Sequence, residues 1–133
     1  MEIISALYRE IYEEMAFVLP KDLITLEDRV FTHMSPNGKV LHFFAKELPL
    51  HVFEAIERVH TSAQSFPKES LGIFRVPLGC VGQTSSTLFR KFIANFSNGV
   101  FAGNAKKQFI ETIIRLKLIG EKDIEFLEQN KCL

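Results

Sequence analysis

The chain opens on a stretch whose apolar positions recur every three or four residues. Ile4, Leu7, Tyr8, Ile11, Tyr12 and Met15 fall on one side of a helix over 2–19, and Glu10, Glu13 and Glu14 fall on the other. Pro20 ends it, because the residue before a proline avoids helical angles. The period then changes from about 3.6 to 2. Residues 23–34 (LITLEDRVFTHM) alternate: Ile24, Leu26, Val30 and Met34 share one face, with Thr32 among them and Asp28 out of step. Ser35-Pro36-Asn37-Gly38 is a turn signal, since Pro presets its φ and Asn and Gly tolerate left-handed angles. Residues 39–48 return as a second strand, so a β-hairpin is expected, with Met34 opposite Lys39 and His33 opposite Val40. Phe31, Phe43 and Ala45 then lie on the face opposite Ile24 and Leu26. Apolar residues on both faces of a hairpin need a second cover, which in so small a domain points to another chain.

Helical spacing returns over 50–65, through Val52, Phe53, Ile56, Val59 and Ala63, until Ser65-Phe66-Pro67 breaks it. Residues 70–78 read as a strand that Pro77 confines to an edge or an end. Leu88, Phe89, Phe92, Ile93 and Phe96 fit a helix over 84–97 with Ser85 or Ser86 as its cap, although a strand followed by a short helix fits the same residues. Two further helices are expected over 105–118 and 121–129. With no repeats and no linker, the expectation is an α+β fold: a single small domain over 1–133, an antiparallel sheet with N-terminal, middle and C-terminal helices.

Composition adds little until it is divided. Of 133 residues 47% are hydrophobic, with 13 Phe and no Trp, so the core must be built from Phe, Leu and Ile. The 16 bases balance the 16 acids, which excludes a strongly basic nucleic-acid module on total charge. The balance is local, however: residues 1–60 hold 10 acids and 6 bases, and residues 61–133 hold 6 acids and 10 bases. Between Arg75 and Lys117 there are seven bases and one acid, Glu111. This stretch, with Arg90 and Lys91, reads as a docking patch for an acidic partner more readily than as a nucleic-acid surface. Two distant cysteines, Cys80 and Cys132, fit a reducing compartment. The first residues lack the basic region of a signal peptide, and no apolar run approaches a membrane span. The expectation is a soluble cytoplasmic protein.

Chemistry is harder to find. No nucleophile signature surrounds Cys80, and Gly79–Ser86 lacks the Lys-Ser/Thr pair of a phosphate-binding loop. His33, His42, His51 and His60 stand nine apart; a His33–His42 pair across the hairpin is conceivable, but no cysteine or carboxylate joins it. Glu13-Glu14 and Glu27-Asp28 read as solvated neighbours, not as acid–base pairs. No catalytic, cofactor or metal residue is assigned, and the protein is expected not to be an enzyme.

The order helix, hairpin, helix, strand, helices resembles that of the bacterial type III secretion class I chaperones. The likeness is greatest to the small subunit of the heterodimeric chaperones that escort the secretion gatekeeper protein. It rests on Met34-Ser-Pro-Asn-Gly38 followed by Lys39-Val-Leu-His-Phe43, and on a helix ending in Ser65-Phe66-Pro67 followed by Leu71-Gly-Ile-Phe74. The resemblance implies a non-enzymatic virulence chaperone. It would hold the N-terminal segment of a secreted client in extended form as a heterodimer with a partner subunit. It also implies a strand near 84–93, where the spacing gives a helix. Phe53, Ile56 and Val59 would form the dimer stripe, and Phe31 and Phe43 the client-facing patch. Arg90 and Lys91 carry the alternative, a small regulatory protein docking on a large assembly such as transcription machinery.

Overall fold

The computed structural model describes residues 2–69, 72–78, 85–96, 101, 103–130 and 132. Cys80, the rest of 79–84, and residues 70 and 71 of the expected strand lie outside the described residues, as do the side chains of Ser85 and Ser86. The α+β expectation holds. Among the described residues the helices are α1 (Glu2–Met15), α2 (Leu50–Val59), α3 (Ser85–Phe96), α4 (Ala105–Arg115) and α5 (Glu121–Gln129). One antiparallel sheet pairs β1 (Arg29–Met34) with β2 (Val40–Phe44). Periodicity places α3 where the chaperone layout wanted a strand, and 72–78 carries no strand. Among the described residues no helix is long and apolar enough to cross a membrane.

The chain clusters into two compact units. The first comprises Met1–Arg29 and Phe44–Phe74. Here α1 stops at Met15, four residues short of the expectation. Ala16 takes a left-handed φ of 53° while its N–H still donates to Tyr12 O at 2.9 Å. The chain then turns back along α1: the Tyr8 hydroxyl donates to Pro20 O (3.1 Å) and accepts the Ile24 N–H (2.9 Å). Leu19, Ile24, Ile56 and Ala63 are buried. The Ser65 N–H donates to Glu13 O at 3.3 Å, so the last turn of α1 is anchored from the segment after α2. Strand structure begins only at Arg29. Thr25 caps a 3-10 turn over Leu26–Asp28, with its hydroxyl accepting the Glu27 N–H and the Asp28 carboxylate accepting the Thr25 N–H. This reciprocal arrangement satisfies donors that a strand would have needed for its ladder.

The second unit comprises Val30–Phe43 and Arg75–Leu133. Its core joins Phe89, Phe92 and Ile93 of α3, Ile110 and Ile113 of α4, Ile119, and Leu127 of α5. Phe92, Phe101 and Phe109 pack ring against ring, with centroids 6.1 to 6.3 Å apart. Arg90 Nε donates to the buried Asp123 at 2.8 Å, and the guanidinium lies over Phe126. A buried carboxylate needs such a partner, because an unpaired one would cost several kcal/mol.

The hairpin departs from its expected register by one residue. The Ser35 N–H donates to Lys39 O (2.8 Å), Thr32 Oγ1 meets His42 Nδ1 (2.8 Å), and Phe31 packs on Phe43 (5.7 Å). Thr32 therefore stands opposite His42 and Phe31 opposite Phe43. Phe31 and Phe43 nevertheless share a face, as expected. The covered face carries Phe31, which is 8% exposed under the Arg115 guanidinium of α4. Arg115 also donates to Val30 O (3.4 Å). The open face carries Met34 and Val40 instead.

Candidate functional site

The four histidines do not assemble. His33 lies against Phe31 and Gln108 (3.2 Å), while His42 bonds Thr32 on the opposite face of the hairpin. His51 is exposed. His60 donates from Nδ1 to Glu57 O (2.9 Å) and sets its ring edge against Phe66, leaving a buried Nε2 with no partner. Among the described residues no three His, Cys, Asp or Glu side chains are gathered to hold a metal ion.

The residues singled out from sequence fall into two places. In the first unit Phe53 and the buried Ile56 line one cavity of about 260 Å³, with Ile11 and Met15 of α1, Leu19, Ile24, Leu48, Ile73 and Lys46. Val59 is half-buried at the end of α2. Lys46 is the one charged group in that wall, and it is held by Asp28 at 2.9 Å. In the second unit Phe31 and Phe43 pack with tilted rings on one hairpin face. Arg90 is committed to Asp123, and its neighbour Lys91 is exposed.

A further group emerges on α1. Glu10, Glu13 and Glu14 are spaced i, i+3 and i+4, which sets their carboxylates on one side of the helix. Arg9 lies between two of them, 3.0 Å from Glu10 and 3.7 Å from Glu13. The hydrogen bond to Glu10, then the charges of Glu10 and Glu13, raise the Arg9 pKa above its ordinary value. The opposite side of the same helix supplies Ile11 and Met15 to the cavity. The last two carboxylates sit on the turn whose carbonyls Ser65 engages: Glu13 O takes the Ser65 N–H, and Glu14 O takes its hydroxyl at 3.5 Å. Helix α1 thus presents a row of hard-oxygen donors, Glu10 and Glu14 exposed and Glu13 half-buried. Such oxygens are the ligand type that Mg²⁺ takes. Releasing them from Arg9 costs little, because an exposed ion pair contributes about 0–1 kcal/mol. The donor type therefore suits a divalent cation, while the three carboxylates are not gathered around a common point in this structure.

Sequence reasoning passes over this group when Glu13-Glu14 is weighed only as an adjacent pair, without Glu10. The signal was the run Arg9-Glu10-x-x-Glu13-Glu14, which concentrates three acids within one helical turn.

The chain belongs to the Nudt16-like family (U8 snoRNA-decapping enzyme-like), matched over residues 1–119. It is 33% identical over 125 residues to the U8 snoRNA-decapping enzyme of Xenopus laevis, covering 91% of this chain and 56% of that protein. The mouse (Mus musculus) U8 snoRNA-decapping enzyme is 30% identical over 116 residues, covering 86% and 57% respectively. The chain spans about half the length of the curated relatives it matches.

These findings overturn the secretion-chaperone reading and with it the virulence role, the partner subunit and the secreted client. They equally overturn the non-enzymatic alternative of docking on transcription machinery. The relatives are named as enzymes, so the expectation of no enzyme fails. They are also named for an RNA, so the dismissal of nucleic acid fails too. The layout of helices and one hairpin was too generic to discriminate, and the turn sequence at 34–38 specifies a hairpin in any fold.

Proposed function

We propose that this protein is an RNA-decapping hydrolase of the kind its relatives are named for. The observation that carries the reading is the family match over residues 1–119. A cap is joined to RNA through a 5′–5′ phosphoanhydride. Its hydrolysis bonds a water oxygen to phosphorus, breaks a P–O–P linkage, releases a nucleoside phosphate and sheds a proton. The reaction therefore needs a proton acceptor and positive charge against the phosphate oxygens. Glu10, Glu13 and Glu14 supply acceptors and cation ligands, and Arg9 supplies a fixed positive charge beside them. A bound divalent cation would contribute Lewis-acid polarisation of the phosphoryl oxygens.

The test is release of labelled cap nucleotide from capped RNA. Glu13→Gln/Glu14→Gln is expected to lower the rate by about 10²-fold or more, with an unchanged circular-dichroism spectrum. Full activity in that double variant, or none in the parent protein at any divalent cation concentration, would refute the reading.

A further inference from the structure

Counted by compact unit instead of by position along the chain, the charge asymmetry sharpens. The segments of the first unit hold 11 acids and 6 bases, and those of the second hold 5 acids and 10 bases. Within the second unit two of the five acids are already engaged, Asp123 by Arg90 and Glu111 by Arg115. Lys91 on α3, Lys107 on α4 and Lys117 just beyond α4 are all exposed. None of them forms an ion pair among the described residues. Exposed ammonium groups on flexible stems neutralise the phosphates of a polyanion and release its condensed cations, with a gain in counterion entropy.

We propose that the second unit holds the body of the RNA by its phosphate backbone, with Lys91, Lys107 and Lys117 as positioning residues. The choice of RNA as the polyanion rests on the decapping reading. The first unit, with its excess of acids, is the wrong sign for that task. Phosphate contacts position a strand without reading bases, so binding should be indifferent to sequence and steeply dependent on salt.

The test uses the full chain and an uncapped single-stranded RNA of about 20 nucleotides, followed by fluorescence anisotropy across a salt series. Three lost phosphate contacts on a single strand should reduce the slope of log K against log salt by about 2. The variant Lys91→Gln/Lys107→Gln/Lys117→Gln should accordingly bind about 10²-fold more weakly near 0.1 M salt. A control with the exposed first-unit lysines replaced, Lys21→Gln/Lys68→Gln, should leave both quantities unchanged. Hydrolysis of a cap dinucleotide lacking an RNA body should be equal in all three proteins. Equal slopes for parent and triple variant would overturn the proposal. So would an equal loss in the control, or an RNA that fails to bind while an acidic polypeptide binds. Absence of cap-dinucleotide hydrolysis in every protein would count against the decapping reading alone, because affinity and slope still decide this one.

Discussion

Asp28 governs the point at which coil becomes strand. Its carboxylate accepts the Thr25 N–H at 2.8 Å and the Lys46 ammonium at 2.9 Å, and its carbonyl accepts the Ala45 N–H at 3.0 Å. The Lys46 hydrogen bond first, and then the Thr25 backbone bond, hold its pKa below the usual carboxylate value. Both contacts favour the ionised form. The folded-state pKa is thus depressed, so the associated stability is present above the unfolded value, near pH 4, and is lost as the pH falls through the folded one. Asp28→Asn is expected to cost about 1 kcal/mol at pH 7, or about 4 °C in Tm. The gap from the parent protein should close below about pH 4. Thermal scans at pH 7, 4 and 2.5 check this; a gap that persists at the lowest pH would show that the charge plays no part. In the sequence Asp28 is the residue that interrupts the alternation over 23–34. The interruption marks the true start of β1, although read alone it looked like a tolerated exception.

At the scale of elements, the helices were legible because each has one apolar side, and packing rewards that side wherever it falls. Their ends were less so. Pro20 is the obvious stop for α1, yet the helix ends four residues earlier, where Tyr8 draws the following segment back onto it. An aromatic hydroxyl twelve residues from its acceptor leaves no periodic trace in the sequence. The same holds for the hairpin, whose existence follows from the turn at 35–38 but whose register rests on the Ser35 N–H bonding Lys39 O. Phe31 and Phe43 share a face as the alternation implies, and that face is the covered one because Arg115 of α4 lies over Phe31. The early stop of α1 has a measurable consequence. Ala16 occupies the left-handed region, φ 53°, where a Cβ costs about 1–2 kcal/mol. Ala16→Gly removes that cost and returns part of it as extra freedom of the unfolded chain. A net gain of about 0.5–1 kcal/mol, or about 2–4 °C in Tm, is expected by calorimetry. A lower Tm for the glycine variant would show that the left-handed turn is not strained.

For the whole molecule, the sequence carried the site in plain sight but not its meaning. Three carboxylates within one turn of α1 look the same whether they are solvated or functional. The family match, and not their spacing, is what draws attention to them. The charge pattern was partly legible, as an acidic first half and a basic second half. Folding transfers Val30–Phe43, with its single Lys39 and no acid, to the basic unit, and the partition grows to five charges on each side. A neutral total with a sequence pI of about 6.9 then conceals two units of opposite net charge. At low ionic strength the acidic unit of one molecule attracts the basic unit of another, since the Debye length is about 30 Å at 0.01 M salt. At 0.15 M it shrinks to about 8 Å and the attraction is screened. The protein is therefore expected to self-associate reversibly at pH 7 in 0.01 M salt and to disperse by 0.15 M. Light scattering across that range should show the apparent mass falling with salt. Lys91→Gln/Lys107→Gln/Lys117→Gln, by removing three of the exposed cations, should flatten the response. An apparent mass that does not change with salt in the parent protein would mean that the opposed charges are neutralised within each molecule and that no net surface of either sign faces outward.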